Sequence, residues 1–561
     1  MSDFAKALQT AEYTQTWNGA LSLSTPDSAG QSDGRISLFF KGIRNLNLPL
    51  LYEFLNKSSK ENIVDTFCLV FNLRDCRGGK GERNLGRKAL IWLFLNFPKE
   101  FSQIVHLLPE YGRWDDMLVL WPGVLDISIV KLPYLCENYC VKINGIEGIK
   151  YLKQIQLEIV RLMGKQLELD KFNMEKGNPV TLCAKWAPSQ NDHNDRNYNV
   201  VKTLCSTMNW SQAKYRKFYL SPLRAYLKIV ERYMCSKDWV SIDFSKVPSN
   251  AMQRLKEAFL KNTPDTFNQW KSELIIGNST INAKQLYPHE IVSAYRKKNL
   301  YDPIYEEQWK VLQNELNNAG VFKNALCAVD ISGSMTEWLN ERGKKEQTPT
   351  NFKPIDVSIG LGIIISGSIK GTFHNHVISF HTEPTFKVLP EKCSLYDKLQ
   401  LLQKLQWGRS TNLTKTFDMI LNKAKQFNLS QEAMPEKIFI ISDMQFNYCG
   451  NKTNFQYVDQ KYKASGYIRP QLVFWNVNGS INDTPVCVDD NNTALVSGFS
   501  PAVLKSIFKT TDFSPYNIMM ETINEARYDP VREVFNTPPH SSGPISTPSS
   551  NKVYLQRGAT V

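Results

Sequence analysis

Asp330-Ile331-Ser332-Gly333-Ser334-Met335 places one carboxylate and two hydroxyls within five residues. An oxygen-only donor set of this kind suits a hard divalent cation, Mg²⁺ or Mn²⁺, rather than zinc. The group follows the apolar run Ala325-Leu326-Cys327-Ala328-Val329, which reads as a buried strand. In an open α/β sheet, ligands sit beyond the carboxyl ends of the strands. The plainer reading of the same residues is that Ser332 and Ser334 cap a helix.

The run resembles the first segment of the metal-ion-dependent adhesion site of von Willebrand factor A domains. Trp407-Gly408-Arg409-Ser410-Thr411-Asn412-Leu413-Thr414 resembles the second segment, with Asn412 where family members often carry Asp. Lys437-Ile438-Phe439-Ile440-Ile441-Ser442-Asp443 resembles the third. The resemblance implies that Asp330, Ser332, Ser334 and Thr411 hold the ion or its waters, while Asp443 orients a water. A sixth position would then take an acidic side chain of a partner protein. Read without the resemblance, Asp443 caps a turn. No nucleophile–base pair is suggested, so an enzyme is not expected.

The elements around these residues must position them. Residues 355–369 read as a buried helix, 376–380 as a short strand and 385–389 as an edge strand after Pro384. An amphipathic helix is expected over 395–405, a strand over 472–475 and a helix from Pro501 through Phe508. Strands alternating with helices predict a doubly wound, Rossmann-like α/β domain over 322–530. The polar stretch 336–354 beside the proposed ion reads as a loop that either gates access or is simply mobile.

Residues 35–320 differ: short helical patterns follow one another with Pro and Gly punctuation. They predict an all-α, HEAT-like region. A polar segment precedes it (1–34), and a Ser/Pro-rich tail with the composition of disorder closes the chain (531–561). The expected whole is multidomain. The longest apolar run, 89–95, is too short to span a bilayer, so no membrane association is expected. Eleven cysteines without CxxC pairs fit a reducing, cytoplasmic setting.

Charge is concentrated. Residues 201–300 hold 17 Lys and Arg against 7 Asp and Glu, a balance of +10 within a chain total of +13. Lys214, Arg216, Lys217, Arg224, Lys228 and Arg232 are interleaved with Tyr215, Tyr219, Tyr226 and Tyr233. Cations for phosphates and ring faces for bases would suit single-stranded RNA. A solvated helix face with its rings packed inward uses the same residues. A second basic island, 74–83, carries Arg74, Arg77, Lys80 and Arg83. Its glycines do not fit GxxxxGK[ST], so it reads as an interhelical loop able to meet a phosphate or to pair with Asp75 and Glu82.

The motifs Arg74-Asp75-Cys76-Arg77-Gly78-Gly79-Lys80-Gly81-Glu82-Arg83, Tyr111-Gly112-Arg113-Trp114-Asp115-Asp116, Lys185-Trp186-Ala187-Pro188-Ser189 and Leu286-Tyr287-Pro288-His289-Glu290 resemble those of one family. Its members occur in plants, fungi and giant DNA viruses of the mimivirus type, and join a helical region to a von Willebrand factor A domain. That architecture is similar to the Ro autoantigen, where a ring of helical repeats binds RNA ends. The resemblance implies a non-catalytic RNA-binding scaffold, of the host cytoplasm or a virion, with an acidic protein ligand at the metal site. The other reading is a metal-dependent protein adaptor or virion component whose basic charge serves packaging.

Overall fold

The computed structural model describes residues 13–536 except 17, 24–32, 45, 121–122, 127–128, 132–144, 193–194, 196–198, 284–285, 321, 337–352, 405–410, 448–452, 480–484, 487–491, 501–502, 505–506 and 508–512. The tail from 537, the polar insert and most of the helix expected after Pro501 therefore lie outside the described residues. Two compact units are interleaved along the chain rather than consecutive. One comprises 1–73, 78–85 and 273–525; the other comprises 74–77, 86–272 and 526–561.

The first unit is built on a six-stranded sheet. A small antiparallel hairpin, β1 (Tyr13–Gln15) and β2 (Leu21–Leu23), comes first in the chain. The main strands are β3 (Ala325–Asp330), β4 (His376–Phe380), β5 (Thr385–Val388), β6 (Lys437–Ser442), β7 (Gln471–Asn476) and β8 (Thr493–Ser497). Their spatial order is β8-β7-β6-β3-β4-β5. Every pairing is parallel except that of β5 with β4 at the edge, the position expected after Pro384. The chain runs outward from β3 through β4 and β5, then returns to the centre at β6 and runs the other way. The order thus reverses between β3 and β6, which is the topological switch point of a doubly wound sheet.

Alternation along the strands assigns the two faces. Leu326, Ala328, Ile378, Phe380, Ile438, Ile440, Leu472, Phe474 and Leu495 join one core with Phe417, Leu421, Val458 and Tyr462 of two covering helices. The opposite face receives a helix that is buried along its whole length apart from Gly367, Pro354–Ser368. Its sequence is apolar all round, as a fully buried helix requires.

The helices of this unit include α1 (Gly34–Lys41), α2 (Pro288–Lys298), α3 (Pro303–Ala319), α4 (Pro354–Ser368), α5 (Leu413–Gln426) and α6 (Asn454–Ala464); Leu48–Glu61 and all but the last residue of Ile63–Arg74 belong to it as well. Helix α4 is wedged in place by its neighbours. Arg296 of α2 forks onto Asp356 through two bonds of 2.7 and 2.6 Å. Gln313 of α3 donates to the Ile364 carbonyl and to Ser368 Oγ. The Ser358 hydroxyl donates to the Ile441 carbonyl of β6 at 2.9 Å.

The second unit is helical. Its longest element is the 31-residue helix Gly145–Glu175, against which Pro98–Ile104, Val200–Thr207 and Ser221–Tyr226 pack. Residues 223–233 do not form one continuous helix: Ser221–Tyr226 and Val230–Ser236 are separate. Lys228 between them has φ +48°, a left-handed conformation that interrupts the helical ladder. Just before them, the short helix Gln212–Lys214 continues as a π-helical turn, Tyr215–Leu220.

Gly362 of α4 faces β3 so closely that a Cβ there would lie 2.4 Å from Val329 Cγ2. The gain in helix propensity from alanine, up to about 1 kcal/mol, is outweighed by this overlap with a stiff β-branched side chain. Gly362→Ala is expected to destabilise the α/β unit by about 1–3 kcal/mol. The shift of its denaturant midpoint measures this, and an unchanged midpoint would contradict the packing described.

Candidate metal centre

Strand β3 delivers Asp330 to the sheet's carboxyl edge, and β6, its parallel neighbour, delivers Ser442 and Asp443 beside it. The Asp330 carboxylate is fully buried. It accepts from the Ser332 amide at 2.9 Å and from the Ser442 hydroxyl at 2.5 Å. Ser332 Oγ lies 3.2 Å from Ser334 Oγ, so these hydroxyls face each other. Asp443 is buried too and accepts from the Gln445 amide at 3.2 Å, which is the turn its plainer reading predicts. Met444, next in the chain, holds φ +67° and buries its side chain. A left-handed methionine costs about 1–3 kcal/mol, so the surroundings must impose this turn.

The second motif segment reaches the same loop. Thr411 is buried; its amide donates to Asn447 Oδ1 and its carbonyl accepts from the Asn447 amide, both at 2.8 Å. Asn412, where an Asp resembling the family pattern would stand, caps α5: its Oδ1 accepts from the Lys415 amide at 3.0 Å. The structure therefore brings the three motif segments together, β3 to β6 through Ser442 and the Thr411 loop to the β6 loop through Asn447. Residues 407–410 lie outside the described part.

Burial, and after it the charge of Asp443, pushes the Asp330 carboxyl up to about 7, while its serine bonds pull the other way. Two buried carboxylates that repel each other, set among hydroxyls, form a donor set of the kind Mg²⁺ or Mn²⁺ takes. Among the described residues no three His, Cys, Asp or Glu side chains form a metal-holding group, so hydroxyls are needed beside the two carboxylates.

A fourth element was not legible in the sequence. The hairpin β1–β2, expected to be part of a polar leading segment, packs on this loop cluster. Thr16 Oγ1 donates to the Phe446 carbonyl at 2.5 Å, and Asn18 Nδ2 donates to the Gln445 carbonyl at 2.7 Å. Asn18 Nδ2 also lies 3.4 Å from Thr411 Oγ1. Strands of three residues are too short to display a period.

The basic residues divide sharply. Three are committed inside the protein, which corrects the expectation that they meet nucleic acid. Arg74 is buried and pairs with Asp116 at 2.6 Å, an acid also held by Arg87. Lys80 is buried on three oxygens: the carbonyls of Phe39 and Gly42 and the hydroxyl of Ser497. Arg224 donates to the Ala184 and Ala187 carbonyls and to Ser189 Oγ, each at 2.8 Å. Burial at under a tenth exposed, or three simultaneous bonds, leaves no donor fork for a phosphate.

Arg77, Arg83, Lys214, Arg216, Lys217, Lys228 and Arg232 are exposed. Arg77 donates to the carbonyls of Glu110 and Gly112, and Arg232 to that of Ser221. Tyr215 and Tyr219 are buried, stacked on Trp210, whereas Phe218 and Tyr226 keep 48% and 37% of their surface. The inward-packing alternative thus holds for two of the rings.

Residues 324–538 match a family model described as a domain of unknown function (DUF7788), and residues 146–322 match another (DUF2828). The chain is similar to a mimivirus protein. That relative, uncharacterized protein L728 of Acanthamoeba polyphaga mimivirus, is 28% identical over 546 residues, covering 93% of this chain and 89% of its own length. The crystal structure of the RO (RSR) protein of Deinococcus radiodurans aligns over 89% of this chain and 95% of that one, at 12% identity and a TM-score of 0.28.

Burial pushes the Lys80 amine down to about 7 from its ordinary value of 10.5, against a smaller opposing pull from Glu82. Between those values the unfolded chain holds a proton that the folded chain has released. Stability therefore rises with pH across this window, and the penalty is full below about 7. Wild-type stability is expected to climb relative to Lys80→Met from about pH 7 to about pH 9, by up to about 1.4 kcal/mol per pH unit. Denaturant titrations measure it; a level difference would show an ammonium persisting on its three oxygens.

Proposed function

We propose that this chain is a non-catalytic binding scaffold with two sites, one on each compact unit. The α/β unit acts as a von Willebrand factor A-type domain. Asp330, Ser332, Ser334 and Thr411 would hold a Mg²⁺ or Mn²⁺ ion, with Asp443 behind them orienting a water. The ion would supply a concentrated positive charge to which an acidic side chain of a partner protein binds. The observation that carries this reading is the Asp330–Ser442 bond at the switch point, with the Ser332–Ser334 hydroxyl pair beside it. Among the described residues the hydroxyls of Ser332, Ser334, Ser442 and Thr411 bond to one another, to Asp330, to Asn18 or to the Met444 amide, and to no histidine. That arrangement favours ligation over nucleophilic catalysis.

The helical unit would bind single-stranded RNA through the exposed cations Lys214, Arg216, Lys217, Lys228 and Arg232. Exposed cations supply the phosphate contacts, and the open rings of Phe218 and Tyr226 supply stacking surfaces. Lys171 already lies 5.0 Å over the Phe218 ring, so cation and ring act as one patch.

Fluorescence anisotropy with a structured RNA, bearing or lacking a single-stranded 3′ tail, tests this second site across a salt series. Tail-dependent binding is expected, and replacing Arg216, Lys217 and Lys228 by Glu should flatten the logarithmic salt slope by about 2. An unchanged slope would remove this surface from the reading. Weak binding indifferent to the tail would leave a protein adaptor as the function.

Asp330→Ala tests the division into two sites. RNA affinity is expected to stay within about twofold, because phosphate binding draws on surface cations and not on the buried carboxylate. Loss of RNA binding together with the carboxylate would overturn it.

A further inference from the structure

We infer that the hairpin β1–β2 is a working part of the divalent-ion site, with Asn18 positioning Thr411 as a ligand. This inference rests on the metal reading above and adds a residue outside the three motif segments. The hairpin is firmly placed rather than draped over the unit. Ala20 is fully buried in the core cluster shared with the sheet. Gly19 forms a bridge with Asn447, and Leu21 forms one with Thr453. Thr16 closes the turn by accepting the Ala20 amide on its hydroxyl at 2.9 Å, and it donates to Phe446.

Asn18 stands at the tip of this turn, half-buried, and its carboxamide reaches two segments at once. The Gln445 carbonyl can only accept, so its 2.7 Å contact fixes the NH₂ end of the amide towards the site. The second N–H of that group is then available to Thr411 Oγ1, 3.4 Å away. A hydroxyl oxygen has two acceptor lone pairs. Engaging one with an amide N–H leaves the other for a cation and sets the direction in which it points. Asn447 already holds the Thr411 backbone on both sides. Asn18 adds what the backbone bonds lack, a constraint on the side chain itself.

The second consequence concerns coupling. The hairpin grips the backbone of 445–447, the same loop whose first residues are Asp443 and the left-handed Met444. Ion binding that orders this loop favours hairpin docking, and docking favours ion binding by the same factor. Outer partners of metal ligands commonly contribute about 10–100-fold to affinity.

The test is Mn²⁺ binding to the full chain by electron paramagnetic resonance, with hydrogen exchange of residues 13–23 followed in the same samples. Wild type, Asn18→Ala, Thr16→Val and Asp330→Ala are compared. Asn18→Ala is expected to weaken Mn²⁺ binding about tenfold. Thr16→Val, which loosens the hairpin while keeping the amide, should weaken it by a smaller factor. Mn²⁺ should slow exchange in 13–23 of the wild type. Equal Mn²⁺ affinity in wild type, Asn18→Ala and Thr16→Val would overturn the inference while leaving the metal site intact. A wild type that takes up Mn²⁺ no better than Asp330→Ala would overturn both.

Discussion

A fully buried carboxylate at the reversal of a parallel sheet is the constraint around which the α/β unit is organised. Asp330 ends the central strand, and its bond to Ser442 ties that strand to the one where the chain begins to run in the opposite direction. A second carboxylate, Asp443, is buried one residue further on. A folded chain does not gather like charges in a low dielectric without an offsetting cause. Serine hydroxyls and backbone amides offset part of the cost; a divalent ion would offset the rest. The left-handed Met444 and the two hydrogen bonds between Thr411 and Asn447 show that the surrounding loops are shaped tightly to this point.

The four motifs on which the family resemblance rests serve mainly as internal joints. Asp116 of the 111–116 motif receives both Arg74 and Arg87, and a Cβ at Gly112 would lie 2.1 Å from its Oδ2. Asp75 is bonded to Arg527, and Tyr111 stacks on Tyr528 at 5.7 Å, so the segment after the sheet is fastened into the helical unit. The 185–189 motif supplies the oxygens that anchor Arg224 and Tyr215. In the 286–290 motif, Glu290 caps its own helix while Tyr287 and the buried His289 pack with it. Breaking a buried pair of the Arg74–Asp116 type typically costs about 3–5 kcal/mol, so these residues hold the helical unit together.

Much of this fold was legible because the signals were strong and local. The apolar runs at 325–329, 437–442 and 472–475 are the central strands, and the glycine-bearing apolar stretch expected over 355–369 is helix Pro354–Ser368. Thr411 and Asp443 were legible only through their resemblance to a known site, not from spacing. What escaped notice is carried by neither composition nor period. Charge is visible in a sequence but partners are not, and Lys80 finds Ser497 across 417 residues. Likewise Arg224 looks like its exposed neighbours Arg216 and Lys217, yet its donors point inward. The hairpin at 13–23 is held by bonds, bridges and packing against loops more than 400 residues away, so neither propensity nor pattern announces it. The break at Lys228 is a single backbone dihedral, to which helical periodicity is blind.

The account stands on the claim that the switch-point cluster holds a divalent cation. Anomalous diffraction from crystals of the full chain soaked in Mn²⁺ tests it most directly. A single strong peak within ligand distance of Asp330, Ser332, Ser334 and Thr411, absent in crystals of Asp330→Ala, is the predicted result. A map without a peak there, or with Mn²⁺ bound only at other carboxylates, would contradict it.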